Sequence, residues 1–247
     1  MLTALNTGCP TKAGPNGETG YLDTAFSPNS NGWNTYVNNQ DVGYAGSGTE
    51  TMYVNSPRNW QVIANLGTCG GCVQTFPATQ QLFNSSGSAT KISDLAELKV
   101  NYDETSPGGS ANGYEFAPDL WQTGYPWDVM WWVDTNLRCN DAGPVIGKFT
   151  MDGQDWTAHM YGGTPDANGV PHGGEIILIL DGPGGSGTCA TQSKGTINIK
   201  ASLEWLASKG FIPASPAVMQ LNTGWEVTQA KNATFTLNDL TYTVTPK

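Results

Sequence analysis

The stretch from Trp127 to Asp134 carries the side chains best suited to chemistry. Its polar and apolar residues alternate with a period of two, which predicts a strand rather than a helix. One face of that strand is wholly apolar, and the other presents Asp128, Met130, Trp132 and Asp134. A carboxylate beside aromatic rings suits the cleavage of a sugar, because the acid stabilises an oxocarbenium-like transition state and a flat ring packs against the sugar. The plain alternative is a half-buried strand with an exposed acid.

Glycoside hydrolysis needs a second carboxyl group, about 5–5.5 Å from the first in retaining enzymes. The strongest strand-borne candidates are Asp119, Asp128 and Glu226, and weaker ones are Glu115, Glu175 and Asp155. Glu226 follows an indole in Gly224-Trp225-Glu226-Val227. A partly apolar setting raises the pKa of a carboxyl group and suits it as a proton donor. The spacing along the chain does not show that Asp128 and Glu226 meet.

The elements that must position these acids are short strands joined by turns rich in Gly, Asn, Ser and Thr. We predict strands at 36–40, 51–55, 59–64, 73–76, 92–102, 114–121, 127–134, 148–151, 155–161, 175–180, 218–222, 225–228 and 234–244. Asp152-Gly153 is a strong hairpin signal. Residues 199–209 alone read as a helix, with Gly210 as its C-terminal cap. One helix among many strands predicts an all-β sandwich of two curved antiparallel sheets.

Length and composition fit one domain over residues 1–247, with an irregular N-terminal extension at 1–32. A net charge of −10 with only 11 Lys and Arg argues against nucleic acid as a partner. No apolar run approaches the roughly 20 residues that cross a bilayer. A weakly charged, Trp-rich chain suits a neutral polymer such as a glucan. We expect a monomer outside the cell, and we expect that any secretion signal has been removed.

Five cysteines are compatible with an oxidising compartment. Cys69-Gly-Gly-Cys72 has the spacing of a redox pair or of half a zinc site, but it lies in a Gly-rich turn with no second Cys/His pair after it. We favour a local disulfide between Cys69 and Cys72 and a second between Cys139 and Cys189, which leaves Cys9 over. The two histidines have no third ligand at useful spacing, so we expect no metal and no cofactor.

Several motifs in this order resemble glycoside hydrolase family 12, the jelly-roll endo-β-1,4-glucanases and xyloglucanases. The resemblance covers roughly residues 33–246. Its segments are Tyr36-Val37-Asn38-Asn39, Val73-Gln74-Thr75-Phe76-Pro77, Pro118-Asp119-Leu120-Trp121, Asp128-Val129-Met130-Trp131-Trp132, Gly143-Pro144-Val145-Ile146-Gly147, Asp152-Gly153-Gln154-Asp155-Trp156-Thr157 and Gly224-Trp225-Glu226. The helix at 199–209 lies where the family has its single helix.

The resemblance implies a retaining mechanism on β-1,4-glucans. Asp128 would be the nucleophile, Glu226 the acid/base, and Asp119 a helper that hydrogen-bonds the nucleophile. It also implies contacts with the sugar, for which the candidates are Asn39, Met130, Trp132, Trp121 and Trp33.

Two departures bear on that implication. The family nucleophile is Glu, and Asp128 is shorter by one C–C bond, about 1.5 Å, a misplacement that can cost ~10²-fold in rate. A family Trp is replaced by Asp41, so that a sugar platform is lost or comes from Trp33 or Tyr44. The rival hypothesis is therefore a glucan-binding module without turnover, and a remoter one is a retaining xylanase of related fold.

Overall fold

The protein is described by a computed structural model that covers residues 3–7, 35–41, 48–68, 72–83, 90–122, 127–165, 171–172, 174–182 and 189–247. Strands dominate these residues, with one α-helix, α1 (Ile199–Ser208), and two 3₁₀-helices, Ile92–Asp94 and Cys139–Ala142. The strands are β1 (Thr3–Thr7), β2 (Thr35–Asp41), β3 (Gly48–Ser56), β4 (Asn59–Leu66), β5 (Thr75–Leu82), β6 (Thr90–Lys91), β7 (Leu95–Thr105), β8 (Gly113–Gln122), β9 (Trp127–Trp132), β10 (Asp134–Thr135), β11 (Val145–Met151), β12 (Gln154–Tyr161), β13 (Thr164–Pro165), β14 (Pro171–His172), β15 (Gly174–Leu180), β16 (Lys194–Ile197) and β17 (Ala217–Pro246).

The main strands form the two layers of a jelly roll, joined through β17. One layer runs in the order β2, β5, β17, β8, β9, β15, β12, β11, and the other contains β1, β3, β4, β17, β7 and β16. The first part of β17 pairs with β5 and β8, and the part from Ala230 onward pairs with β4 and β7. The predicted strands at 218–222, 225–228 and 234–244 are therefore one continuous element.

The core lies between the layers and is built from large side chains of alternate positions along the strands. Trp60, Trp131, Trp156 and Trp225 are completely buried there. Trp60 of β4 meets Trp225 of β17 edge to face, with ring centroids 5.3 Å apart. Such aromatic packing contributes roughly 0.5–1.5 kcal/mol beyond the area it buries, and it fixes the residue that precedes Glu226.

Helix α1 confirms the predicted helix and is hydrogen-bonded to β9. The Asn198 side chain caps its N-terminus by accepting from the Ala201 amide at 3.1 Å. Gly210, with φ of 79°, provides the left-handed turn that ends it. The hydroxyl of Ser202 accepts a 2.9 Å hydrogen bond from the Trp131 indole, so the helix fixes the strand that carries Asp128. No helix in the described ranges is long and apolar enough to cross a membrane.

Other predictions need correction. The predicted strand 73–76 stops before Pro77, whereas β5 begins at Thr75 and continues through Pro77 to Leu82. A proline interrupts a ladder because it lacks an N–H donor. Accordingly, Gly224 pairs with Ala78 and Val227 pairs with Thr75, but the two residues between these positions on each strand form no ladder pair. Glu226 lies in that gap, where β17 is paired on one side only.

The predicted strand 127–134 is also divided. β9 ends at Trp132, and Asp134 belongs to β10, where it pairs with Phe116 of β8. Because the chain turns at Val133, Asp134 leaves the face it was expected to share with Asp128 and is buried. The sheets are also not wholly antiparallel, since β9 and β15 run parallel. The Asp152-Gly153 hairpin between β11 and β12 is confirmed, with φ of 51° and 79° at its two residues.

Candidate active site

Four neighbouring strands, β17, β8, β9 and β15, present one side of their layer away from the core. Alternation along each strand assigns the side chains to faces. The core side carries Val129, Trp131, Leu120, Phe116, Leu221, Trp225, Ile176 and Leu178. The opposite side carries Asn222, Gly224 and Glu226 of β17, Glu115, Ala117, Asp119 and Trp121 of β8, Asp128, Met130 and Trp132 of β9, and Glu175, Ile177 and Ile179 of β15. We call this side the acidic face.

Strand register fixes how the acids lie relative to one another. Asp128 faces Trp121 on β8 and Glu175 on β15. Asp119 lies between Met130 and Asn222. Glu226 pairs with Glu115. Asp128 and Glu226 thus lie on strands that flank β8, towards opposite ends of it, and Asp119 lies between them.

Asp128 is half-buried at the edge of this group. Burial raises the pKa of its carboxyl, and the charges of Glu175 and Glu226 raise it further, to about 8. Mutual repulsion of this kind is usual where catalytic carboxyl groups are gathered in one site. The charge of Glu226 thus acts on Asp128, although their partners on β8, Glu115 and Trp121, lie towards opposite ends of that strand.

Asp119 is the buried acid of the group, with 3% of its surface exposed. Burial raises the pKa of its carboxyl well above the usual range, and the charges of Asp128 and Glu226 add to that rise. The Trp121 indole opposes it by donating a 2.7 Å hydrogen bond to Oδ2. Asp119 is thus held by a fixed donor and lies next to Asp128 on the adjacent strand.

Glu226 is half-buried, and burial raises the pKa of its carboxyl. A hydrogen bond with Glu115 acts in the opposite direction on Glu226. Glu115 is 2% exposed, and its pKa is raised well above the usual range by burial, by the charge of Glu226 and by that same hydrogen bond. Glu175 is a fifth acid, and burial followed by the charge of Glu226 raises its pKa to about 7.

The acidic face also holds buried polar atoms that have no hydrogen-bond partner among the described residues. They are Glu115 Oε2, Asp119 Oδ1, Asp128 Oδ1, Trp132 Nε1 and both amide atoms of Asn222. A buried polar group without a partner costs about 1–3 kcal/mol, so their grouping on one face calls for an explanation. Both donors and acceptors are present, which suits a ligand with several hydroxyl groups.

One end of the acidic face is apolar and covered. Met130, Trp132, Ile177 and Ile179 pack there against Ala142 of the second 3₁₀-helix. The predicted disulfide between Cys139 and Cys189 is confirmed and lies at the edge of this cluster, with Cα atoms 5.8 Å apart. Met130 and Trp132 lie on the predicted face, but only 2% and 6% of their surfaces are exposed. They form the floor of the acidic face, and their contact with a sugar remains a prediction.

The remaining predicted residues fall in three groups. Trp121 is half-buried beside Asp128, on the predicted face. Asp155 is exposed on β12, where it accepts from Thr150 at 2.6 Å, apart from the five acids. Trp33, Tyr44, Cys9, Cys69 and the side chain of Asn39 lie outside the described residues. Cys72 is disulfide-bonded, and its pairing with Cys69 remains a prediction.

Sequence reasoning missed Asn222, although a signal was present. Asn222, Gly224 and Glu226 occupy every second position of the sequence, so a strand places all three on the same side. Among the described residues no group of three His, Cys, Asp or Glu side chains is arranged to hold a metal ion.

No protein-family model and no curated protein matches the sequence. Solved structures do resemble the fold. Endoglucanase 3 of Trichoderma harzianum, from family GH12, superposes with a TM-score of 0.69 at 19% identity, covering 97% of this chain and 97% of that chain. The xyloglucanase domain of NopAA, a type three effector from Sinorhizobium fredii, gives 0.68 at 21% identity, covering 89% and 95%.

A family 12 xyloglucanase from Bacillus licheniformis gives a TM-score of 0.64 at 20% identity, covering 90% of this chain and 97% of that one. These alignments extend over nearly the full length of both chains. They bear out the arrangement of strands predicted from the motifs. The chain has the jelly-roll fold of the family 12 glycoside hydrolases.

Proposed function

We propose that the protein is an endo-acting hydrolase of β-1,4-glucans that retains the anomeric configuration, with Asp128 as nucleophile and Glu226 as acid/base. One observation carries the proposal: acids from four adjacent strands lie on one face, affect one another's pKa, and adjoin buried polar atoms that have no partner among the described residues. Structures of similar fold are named as endoglucanases and xyloglucanases, and the NopAA domain was solved with cellobiose. Both points favour a β-glucan as substrate.

In the first step the Glu226 carboxyl gives its proton to the glycosidic oxygen as the bond to the anomeric carbon breaks. The Asp128 carboxylate attacks that carbon and forms a glycosyl ester. In the second step Glu226 takes a proton from water, and the water oxygen displaces Asp128. During the reaction Asp119 stays protonated and uses its Oδ1, which has no partner in the described part of the chain, to donate a hydrogen bond to Asp128. Its burial keeps that proton in place.

Asn222 and Trp132 contribute binding rather than proton transfer in this proposal. Asn222 is completely buried beside Asp119, and both its amide atoms lack partners in the described part of the chain. Hydrogen bonds to sugar hydroxyls that strengthen in the transition state supply several kcal/mol in glycosidases. The Trp132 indole is a further donor on the same face.

In the first experiment the protein is incubated with carboxymethylcellulose, barley β-glucan, xyloglucan and xylan. Hydrolysis is monitored by the release of reducing ends, and the first-formed anomer is identified by NMR. We expect products of the β configuration from at least one glucan and no products from xylan. An α-anomer would show inversion, which requires carboxyl groups about 6.5–9.5 Å apart with a water between them. Hydrolysis of xylan alone would favour the xylanase instead.

The matched variants are D128N and E226Q, with D155N as control because Asp155 is exposed and lies away from the other acids. We expect D128N and E226Q each to lower kcat by about 10³-fold or more, with glucan affinity retained, and D155N to behave as the wild type. The short side chain of Asp128 favours one other function, a glucan-binding module. Binding of a glucan without release of reducing ends by the wild type would support that module.

A further inference from the structure

Glu115 is a carboxyl group that the mechanism above leaves unused, and it forms a pair with the acid/base Glu226. They are register partners on adjacent antiparallel strands, with both side chains on the acidic face. Side chains directly opposite one another on such strands have Cβ atoms about 4.5–5.5 Å apart. The two carboxyl groups are hydrogen-bonded to each other, which requires at least one proton between them.

The two acids differ in what they can reach. Glu226 is half-buried, whereas Glu115 is only 2% exposed, so Glu226 is the more accessible member of the pair. On its other side Glu115 pairs with Thr135 of β10, whose hydroxyl is already committed to the Tyr114 carbonyl at 2.8 Å. The second oxygen of Glu115 has no partner among the described residues. Its hydrogen bond to Glu226 is therefore its main polar contact.

We propose that Glu115 is a positioning residue for the acid/base: its O–H donates to one oxygen of Glu226, so that the proton of Glu226 is carried by the other oxygen and points into the cleft. This inference rests on the proposed function. Burial favours the neutral form of Glu115, in agreement with the direction of its pKa. Glu115 keeps its proton throughout the reaction.

The hydrogen bond becomes charge-assisted during catalysis. When Glu226 passes its proton to the glycosidic oxygen, the electron pair of the broken O–H bond stays on Glu226, and Glu115 donates to the resulting carboxylate. Hydrogen bonds to a charged acceptor are roughly twice as strong as neutral ones. The donor thus stabilises the form of Glu226 that develops in the transition state, and it lowers the pKa of Glu226.

The other charged groups of the acidic face must be included in any pH dependence. These are Asp119 on β8, Asp128 on β9 and Glu175 on β15, and all are acids. No Lys, Arg or His contributes to the pKa shifts of these residues in the described part of the chain. Among the residues that the structure describes, Glu115 alone contributes a hydrogen bond to the pKa of Glu226, so variants at 115 test the pair directly.

The variants are E115Q, which keeps a donor, and E115L, which removes it. The kcat/KM of each is measured against pH on barley β-glucan and on 2,4-dinitrophenyl β-cellobioside, whose leaving group needs no proton. For E115L on the polymer we expect about a tenfold fall and a basic limb about one pH unit higher, because a charge-assisted donor is lost. On the dinitrophenyl substrate E115L should match the wild type, and E115Q should match it on both substrates.

E104Q is the matched control. Glu104 is equally buried, at 2%, and also interacts with a carboxyl group, that of Asp134, but it lies in the core between the layers. Its basic limb should not move. Thermal melts establish that each variant is folded, and E115A replaces E115L if that variant does not fold. Equal losses on both substrates, or an E115L basic limb at the wild-type pH, would overturn the inference while wild-type hydrolysis still upholds the proposed function.

Discussion

At the scale of single residues, the charge next to the nucleophile sets the pH at which it can attack. Glu175 is the register partner of Asp128, and of the neighbouring charges it raises the pKa of Asp128 most. In E175Q this charge is removed, so the pKa of Asp128 should fall from about 8. Since Asp128 must be ionised to attack, the acid limb of kcat/KM should then move to lower pH, by roughly one unit.

The control for this shift is E204Q, because Glu204 is exposed on α1 and pairs with Lys200. It removes one negative charge from the molecule without touching the acidic face. An acid limb that moved equally in both variants would show a general effect of net charge. An unmoved limb in E175Q would show that the charge of Glu175 does not govern Asp128.

At the scale of elements, the cross-link between Cys139 and Cys189 holds the second 3₁₀-helix against the apolar end of the acidic face. The two cysteines are 50 residues apart in sequence. A cross-link of that span restricts the unfolded chain and therefore contributes about 2–4 kcal/mol to the stability of the folded protein. We expect the C139S/C189S double variant to lose that amount in urea denaturation, and to lower kcat because the floor at Met130 and Trp132 loosens.

A double variant is preferable to a reducing agent, because Cys72 is also disulfide-bonded and a thiol would act on both links. The C139S single variant should lose as much stability as the double one. A midpoint equal to that of the wild type, with an unchanged denaturant slope, would contradict the assigned role of this link.

The same scale shows what a sequence can predict here. Alternation along Trp127–Trp132 identified the face that carries Asp128, and the cap at Gly210 identified the end of α1, because both depend on local periodicity and backbone conformation. The pairing of Glu226 with Glu115 was not predictable, since register depends on hydrogen bonds between strands far apart in sequence. The strand end predicted before Pro77 was wrong for a related reason. The N–H that Pro77 lacks lies opposite the part of β17 that forms no ladder pairs with β5. Asp134 was misplaced because one irregular residue, Val133, reverses the alternation.

At the scale of the whole molecule, the number of buried acids sets how stability depends on pH. Glu104 on β7 faces Asp134 on β10, so the two layers meet through a pair of carboxyl groups. Burial, then the charge of Asp134, raises the pKa of Glu104 to about 9. The Trp225 indole donates to Ser106, and Ser106 donates to Glu104 at 2.8 Å. The strand that carries Glu226 is therefore connected to this pair.

The sign of the effect is opposite to that of an ordinary salt-bridged acid. Glu104 has a folded pKa near 9 and an unfolded pKa near 4.5, so the unfolded chain binds fewer protons between those values. Linkage then requires the free energy of unfolding to fall as pH rises through that window. Asp119, Asp128 and Glu175 act in the same direction. Asp103 opposes them, since Lys194 lowers its pKa and its contribution is lost below about pH 4.

We therefore expect maximal stability near pH 4–5 and a melting temperature that falls by several degrees or more towards pH 8, since each kcal/mol is worth about 2–4 °C in a domain of this size. E104Q cannot ionise, so its melting temperature should depend less on pH and should exceed that of the wild type at pH 8. Differential scanning calorimetry at half-unit steps of pH measures both curves. A wild-type melting temperature that rose between pH 5 and pH 8 would mean that these acids are ionised in the folded protein. In that case the proton that Glu226 needs could not be held by burial alone.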